Sequence, residues 1–224
     1  MVRKTKEDAE ATRAGILDAA EQCFLQKGVA RTTLEDIAAR AGHTRGAVYW
    51  HFANKLEVFE AVMERVESPL LHELDQITTA VDTDLLGALR RFYANAFEEF
   101  VRNPHARNGV EISLLHCELA DETRPIMNRE QGIAAQTIAR VTEALTQAKR
   151  LKHLRPQLDP AHCSMILHCC TIGLLREWVL RPDAIDLSRD GMAMVETLLS
   201  GFATDLAIKP PRRSTSAPSR ARHV

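Results

Sequence analysis

The amino-acid sequence predicts an all-α protein. Apolar residues recur at spacings of three and four along most of the chain, as they do on one face of a helix, and strand-like alternation is hard to find. Only 5% of the 224 residues are aromatic. At this length the chain can bury one large hydrophobic core or two modest ones. The segments described below amount to about nine helices.

The chain begins with a charged, polar stretch. Residues 1–11 include three basic side chains and predict a flexible basic arm, with no apolar signal-peptide segment. The first helix is expected to follow and to end before Gly28. Its buried face is predicted to consist of Ile16, Leu17, Ala20 and Phe24.

A short helix is predicted next, because apolar residues recur at i, i+3, i+4 and i+7 from Leu34 to Ala41. A threonine followed three residues later by an acid precedes this run, which is a capping-box pattern. Two such pairs are present, Thr32 with Glu35 and Thr33 with Asp36. The sequence leaves open which pair caps the helix.

A tight turn and a second short helix complete this motif. Gly42 stands where a left-handed C-cap is expected, and Thr44 can cap the second helix. The inner side of that helix is predicted to carry Val48 and Phe52. Residues from about 33 to 52 therefore predict a helix-turn-helix.

The outer side of the second helix suits the major groove of DNA. Arg45 can donate two hydrogen bonds to guanine O6 and N7, Tyr49 can contact a thymine methyl, and Gly46 keeps the helix thin. Neighbouring polar side chains and the capped helix ends are expected to contact phosphates. The predicted DNA-binding residues are Thr32, Thr33, Thr44, Arg45, Gly46, Tyr49, His51 and Lys55.

The segment Thr-Arg-Gly-Ala-Val-Tyr-Trp-His-Phe at residues 44–52 resembles the DNA-binding signature of TetR-type transcriptional repressors. It is most similar to the branch typified by AcrR, which controls RND-type multidrug efflux pumps. The match runs without gaps from about Thr12 to Lys55. The resemblance implies a homodimeric repressor that a small molecule releases. It also implies a DNA-binding domain at residues 12–56 and a helical ligand-binding and dimerisation domain at residues 57–208.

The rest of the chain predicts a helical body. A linking helix is expected from Lys55 toward Ala80, with Pro69 kinking or breaking it. Residues 79–84 are predicted to form a loop. Five further helices are expected at residues 85–102, 106–120, 123–152, 161–180 and 187–207. Residues 209–224 have almost no hydrophobes and predict a disordered basic tail.

The last two helices predict a dimer. The helix at residues 161–180 is apolar nearly all round, and the final helix has a wider apolar face than one core needs. Because little chain remains to cover them, a four-helix bundle between two subunits is expected, with burial inside a monomer as the alternative. One recognition helix contacts too few base pairs to select a site, so a dimer on an inverted-repeat DNA operator is expected.

A ligand pocket is expected between the helices of residues 85–180. The residues predicted to contact the ligand are Phe97, Val110, Leu114, Cys169, Ile172 and Glu177. Glu111, His116 and Glu118 are further polar candidates at its margin. For each apolar residue of this set, ordinary core is the commoner role at such a spacing. The AcrR-like branch, which residues 116–118 and 178–182 also resemble, accepts diverse drugs, so the resemblance implies a hydrophobic or cationic inducer.

Charge and cysteine usage agree with an intracellular DNA-binding protein. The net charge of −1 divides into +2 for residues 1–56, −8 for residues 57–208 and +5 for residues 209–224. Five cysteines, an odd number, predict free thiols in a reducing cytoplasm. The longest uncharged run, Pro160 to Leu175, is shorter than the roughly 20 apolar residues of a membrane helix.

Other chemistry is less well supported by the sequence. The histidines and cysteines of residues 162–170 lie on different faces of one helix, so buried thiols are favoured over a zinc site, with redox sensing as a further alternative. No nucleotide-binding or nucleophile motif is present, so no cofactor, metal or catalytic residue is expected. A regulator of metabolism or stress that senses a metabolite or thiol oxidation is the alternative function. An enzyme with an appended DNA-binding module is a third.

Overall fold

The computed structural model describes residues 6–79, 84–118 and 123–204, and these residues form nine α-helices. The helices are α1 Lys6–Lys27, α2 Leu34–Ala41, α3 Arg45–His51, α4 Lys55–Thr79, α5 Leu85–Arg102, α6 Pro104–Leu115, α7 Arg124–Arg150, α8 Pro160–Leu180 and α9 Leu187–Phe202. Within the described ranges, extended pairing is limited to one isolated bridge, Leu154 with Ala203. The all-α prediction is confirmed.

Helix α1 begins earlier than the sequence indicated. The flexible arm expected at residues 1–11 is wrong for residues 6–11, which are the first turns of α1. Glu7 and Asp8 lie in the first turn, where carboxylates interact favourably with the helix dipole. Lys6 and Glu10 form an i,i+4 ion pair at 3.8 Å. The remaining residues of the expected arm, 1–5, lie outside the described residues.

The helices bury two hydrophobic cores. The first core joins α1, α2, α3 and the first part of α4, and it also receives Ile112 from α6 and Ile126 from α7. The Phe24 and Phe59 ring centroids lie 6.0 Å apart in it. We call α1–α3 with α4 up to Met63 the N-terminal unit. The fully buried side chains of this unit include Ile16, Phe24, Ile37, Val48, Val58 and Phe59.

The second core fills the rest of the molecule. It extends from Val66 of α4 through α5 to α9, and we call this part the C-terminal unit. Because α4 contributes to both cores, the first core continues past the domain boundary expected after residue 56: the first turns of α4 pack with α1. Helix α4 also continues through Pro69 without a break, since buried residues on both sides of the proline hold it in place.

The other elements agree closely with the sequence, apart from some helix ends. Helix α5 has the expected bounds, and Asp84 caps it by accepting a 2.9 Å hydrogen bond from the Gly87 amide. Helix α9 ends at Phe202 instead of 207, because Thr204 N donates to His153 O across the isolated bridge (2.8 Å). Residues 80–83, 119–122 and 205–224 lie outside the described residues, and with them most of the expected loop at 79–84 and the whole basic tail.

Candidate DNA-binding surface and ligand cavity

The start of α2 is fixed by the second of the two possible capping boxes. Asp36 N donates to Thr33 Oγ1 at 3.1 Å, and Thr33 N donates to Asp36 Oδ2 at 3.0 Å. Lys27 Nζ donates to Asp36 Oδ1 at 2.5 Å. The Lys27 ammonium and the Thr33 hydrogen bonds lower the pKa of Asp36 to about 2. This carboxylate therefore remains charged and capping at neutral pH.

The turn and the start of α3 have the expected geometry. Gly42 has a φ of 68°, in the left-handed region that glycine adopts without strain. Thr44 caps α3 by accepting a 3.2 Å hydrogen bond from the Ala47 amide. Val48 and Phe52 are buried against the first core. The opposite side of α3 therefore faces solvent.

Arg45 is exposed and held by two neighbours. Its guanidinium lies 2.9 Å from Glu35 Oε1 of α2 and donates to Tyr49 Oη at 3.3 Å. Its Cζ atom also lies 5.1 Å from the Tyr49 ring centroid. Contacts between such exposed groups are worth at most about 1 kcal/mol each, so a guanine base can compete for the guanidinium. The arrangement presents an arginine and a tyrosine together on the outer edge of α3.

Two of the predicted DNA-binding residues have other roles in the structure. Thr32 is 1% exposed, and its hydroxyl donates to the Gly28 carbonyl at 2.8 Å. It stabilises the end of α1, and its burial argues against a contact between its side chain and DNA. Lys55 is half-buried and donates to the Ala30 carbonyl at 2.7 Å. Its phosphate contact stays a prediction.

Sequence reasoning missed Trp50. Its indole is 73% exposed, and its ring centroid lies 4.5 Å from that of the half-buried His51, edge to face. A large apolar ring in water on a helix whose other side is packed is an unusual arrangement. The signal was present in the sequence, because Trp50 lies half a turn away from the buried pair Val48 and Phe52. Thr33, Thr44 and Gly46 are exposed, as their predicted role requires.

A cavity of about 220 Å³ lies inside the C-terminal unit. Five helices form its wall, and apolar side chains from each of α4, α5, α7 and α8 line most of it. Representative lining residues are Leu70 and Leu74 of α4, Phe92, Phe97 and Phe100 of α5, Ile133, Ile138 and Val141 of α7, and Ile172 and Leu175 of α8. Apolar walls with a few polar groups are typical of sites for small organic ligands.

One end of the cavity carries two carboxylates. Arg129 donates to Glu67 Oε1 at 2.9 Å and to Glu130 Oε1 at 2.8 Å, and Ser113 of α6 donates to Glu130. Burial raises the pKa of Glu130, an effect that the Ser113 hydrogen bond and the Arg129 charge partly offset. Since one guanidinium faces two carboxylates, this end favours a cationic or hydrogen-bond-donating group.

The α5–α8 side of the cavity has uncharged polar groups. Burial raises the pKa of Tyr93 to about 12, although the Thr171 hydroxyl offsets part of the effect. Burial also lowers the pKa of His168. Both side chains line the cavity and are neutral at pH 7. They can exchange hydrogen bonds with a phenol, ether or carbonyl without imposing a charge.

Two of the six predicted ligand contacts, Phe97 and Ile172, line this cavity. The other four, Val110, Leu114, Cys169 and Glu177, are not among its lining residues. Val110 is buried in the second core with Leu114 packed against it, Cys169 is exposed, and Glu177 pairs with Arg181. For Cys169 and Glu177 the reason is the rotation of α8, whose cavity side is Ser164, His168, Thr171, Ile172 and Leu175.

The outer side of α8 is unusually apolar. Met165, Ile166 and Leu180 are all exposed. Among the described helices, α8 alone is long and apolar enough to cross a membrane, although only 28% of its apolar window is buried. The window that meets this test extends beyond the uncharged run Pro160 to Leu175, which by itself is shorter than a membrane span. Core helices of soluble proteins pass the same test, and α8 packs against α6, α7 and α9.

The cysteines are spread through the molecule as free thiols. Burial raises the pKa values of Cys23, Cys117 and Cys163, that of Cys117 to about 11. Within residues 6–79, 84–118 and 123–204, no group of three or more histidines, cysteines or carboxylates could hold a metal ion.

Comparison with known proteins places both units in known families. Residues 16–62 match the tetR family of bacterial regulatory proteins. Residues 84–204 match the C-terminal region of MAATS-type transcriptional repressors.

Similar proteins cover almost the whole chain. The HTH-type transcriptional regulator TtgR of Pseudomonas putida is 38% identical over 93% of this chain and all of its own length. The regulator AcrR of Shigella flexneri is 30% identical over 94% of this chain and 98% of its own. A structure of SmeT with triclosan has a TM-score of 0.82 and 38% identity, and covers 95% of this chain and 100% of that one. SmeT is the repressor of the Stenotrophomonas maltophilia multidrug efflux pump SmeDEF.

Proposed function

Because the chain belongs to the TetR family of bacterial transcriptional regulators, we propose that it represses a multidrug efflux operon and leaves its operator when a small apolar ligand binds. One observation carries this proposal: a single chain has an exposed arginine–tyrosine edge on α3 and an apolar cavity between α4 and α8. Helices α4 and α6 contact both units, so binding at one site can alter the other.

On DNA, α3 lies in the major groove. Arg45 exchanges Glu35 for the O6 and N7 atoms of a guanine, and Tyr49 packs against a thymine methyl. The hydroxyls of Thr33 and Thr44, the His51 imidazole and the Lys55 ammonium contact phosphates and fix the register of the helix. Trp50, exposed beside His51, adds an aromatic surface against the sugar-phosphate backbone.

We infer that the functional unit is a homodimer that binds an inverted-repeat operator. The exposed apolar side chains of α8, together with the neighbouring α9, form the surface that a second subunit would cover. A two-fold axis then places two α3 helices on successive major grooves. The protein is expected to work in the cytoplasm, where its DNA is, and to have no catalytic role.

The inducer is proposed to be a mainly apolar aromatic compound. The walls of the cavity are aliphatic and aromatic, and the related SmeT binds triclosan. The pair Glu67 and Glu130 supports an additional cationic group on some ligands. The raised pKa values of Cys23, Cys117 and Cys163 disfavour thiol-oxidation sensing through these residues, whereas sensing through the exposed Cys169 or the half-buried Cys170 stays an alternative.

Binding of the purified full-length protein to its own upstream intergenic DNA tests this proposal. Fluorescence anisotropy would be measured with a labelled duplex, and with a shuffled duplex of the same length as control, while triclosan, ethidium or a flavonoid is added. Specific binding that one of these ligands abolishes is the expected result. Specific binding that none of these ligands disturbs would indicate that the inducer is a metabolite and not a drug. Equal binding to both duplexes would contradict sequence recognition.

A further inference from the structure

Helix α6 lies between the first core and the ligand cavity. Ile112 is fully buried in the first core, whereas the next residue, Ser113, lines the cavity. Helix α6 also approaches α4 closely, since a Cβ atom on Gly109 would lie 2.9 Å from Val66 Cγ2. A ligand that displaces the cavity wall at Ser113 therefore acts on a helix that the N-terminal unit also holds.

The N-terminal end of α6 holds a buried carboxylate of α1. Glu21 is only 2% exposed. Its Oε2 lies 2.8 Å from His105 Nδ1, and its Oε1 accepts a hydrogen bond from Asn108 Nδ2 at 2.5 Å. A buried carboxylate is costly unless donors satisfy it. Because both donors belong to α6, a shift of this helix relative to α1 breaks both contacts together.

The C-terminal end of α6 is tied to the same unit. The Val29 amide donates to the His116 carbonyl at 2.9 Å, and the Ala30 amide donates to Glu118 Oε2 at 3.2 Å. Both donors lie in the turn between α1 and α2. Helix α6 is therefore attached to the N-terminal unit at both ends, while its middle forms part of the cavity wall.

We propose that Glu21, His105 and Asn108 form a latch that stabilises the ligand-free, operator-binding arrangement and that opens when a ligand binds. This inference rests on the proposed function. The cavity of about 220 Å³ is smaller than the roughly 300–1,000 Å³ of sites for drug-sized ligands, so a ligand of that size that enters it fully displaces its wall. Glu21 is then a positioning residue, because it is buried away from DNA and does not line the cavity.

The substitution Glu21→Met tests the latch without leaving an unsatisfied buried group. Methionine fills a similar volume, and the freed partners can reach water, since His105 is exposed and Asn108 half-exposed. Replacing a buried charge by an apolar side chain is often neutral or stabilising, so a melting temperature at or above that of the wild type is expected. A merely structural role for Glu21 predicts a melting temperature below that of the wild type.

Opening the latch lowers the free energy that the protein needs to adopt the ligand-bound arrangement. The affinity of the DNA-free Glu21→Met protein for triclosan is expected to rise about fivefold by calorimetry, and the half-release concentration to fall in parallel. Amide hydrogen exchange in residues 104–115, measured without DNA or ligand, is expected to accelerate by a similar factor. Asn108→Ala should act in the same direction. The control Asn95→Ala removes the 2.8 Å bond to Glu73, which joins α5 to α4 away from α6, and should match the wild type.

The outcomes separate the latch from the proposed function. The latch proposal is overturned if amide exchange in α6 is unchanged in Glu21→Met. It is also overturned if Glu21→Met binds triclosan no more tightly than a wild type that responds to the drug. Both outcomes leave the repressor proposal intact. A wild-type protein that ignores triclosan and the other drugs overturns the proposed drug response. In that case faster exchange of α6 in Glu21→Met, but not in Asn95→Ala, still supports the latch.

Discussion

The N-terminal and C-terminal units place their candidate functional side chains in opposite positions. In the N-terminal unit Arg45, Tyr49 and Trp50 project from a fully packed core into solvent. In the C-terminal unit the corresponding side chains, such as Phe97 and Glu130, face inward around a cavity. An outward residue can change without disturbing packing, whereas an inward one contributes to packing and to binding together. The two units should therefore respond differently to substitution.

The largest effect is expected from Arg45→Ala. Loss of a bidentate contact to guanine should cost about 1–3 kcal/mol of operator affinity and relax preference at one base pair. The melting temperature should stay unchanged, because the side chain is exposed. Binding titrations against a set of single-base operator variants measure both effects. An unchanged base preference would show that Arg45 does not take part in base recognition.

Lys55→Ala is the matched comparison for Arg45→Ala. A phosphate contact carries no sequence information, so affinity for all DNA should fall alike and the salt slope should flatten by about one unit. A loss confined to one base pair would contradict this role.

Filling the cavity should affect binding and stability together. In Ala134→Phe a benzyl group enters the space that Ala134 lines, so triclosan affinity should fall at least about tenfold, and overpacking should cost about 1–3 kcal/mol of folding free energy. Calorimetry and urea unfolding measure the two effects. Ala135→Phe, at the next and exposed position of α7, is the control. Triclosan binding that survives in Ala134→Phe would place the ligand elsewhere.

Two glycines should respond with opposite signs. Gly42→Ala puts a side chain at a φ of 68° and should destabilise the protein by about 1 kcal/mol. Gly132 lies within α7 in open space, so Gly132→Ala should stabilise by about 0.5–1 kcal/mol. Thermal unfolding of both variants checks the pair. Destabilisation by Gly132→Ala would show a close contact that the structure does not have.

The pH dependence of stability should also have opposite signs in the two units. The pKa of Asp36 is lowered from 3.8 to about 2, so its stabilising contribution is complete above pH 3.8 and disappears as the pH falls toward 2. The pKa of Glu130 is raised, so its ionisation costs stability at neutral pH and protonation in acid removes that cost. At pH 7 the free energy of unfolding should be lower than that of the wild type in Asp36→Asn and higher in Glu130→Gln. Urea unfolding from pH 2 to 7 should show both differences disappearing in acid. A Glu130→Gln protein that is less stable at pH 7 would contradict the second part.

The smallest effect is expected from Glu35→Gln. This change removes the carboxylate that holds the Arg45 guanidinium in the free protein at 2.9 Å. Since exposed pairs are worth at most about 1 kcal/mol, operator affinity should rise by no more than about fivefold, and most at low salt. Weaker operator binding would mean that Glu35 orients Arg45 for recognition.

Much of the N-terminal unit could be predicted from the sequence. The Gly42 turn and the Thr44 cap depend on contacts within four residues, and such contacts form wherever the residue types and spacings occur. The two overlapping capping boxes were the exception. Burial of Thr32 decided between them, and burial depends on how α2 packs against α1.

Less of the cavity could be predicted. Helix α8 is apolar on nearly every side, so its sequence did not indicate that His168 and Leu175 face the cavity while Cys169 faces out. The contributions of Glu67 on α4 and Glu130 on α7 were missed, because a pattern within one helix does not indicate which other helix it faces.

The sequence by itself therefore determined the helices, their caps and turns, the exposed arginine–tyrosine edge of α3 and the family resemblance, since these depend on residues close together in the chain. Only the tertiary structure decided the continuity of α4 between two cores, the wall of the cavity and the contact of Glu21 with His105 and Asn108, which are 84 and 87 residues away. Those features depend on the rotation and position of packed helices, which neither periodicity nor local propensity specifies.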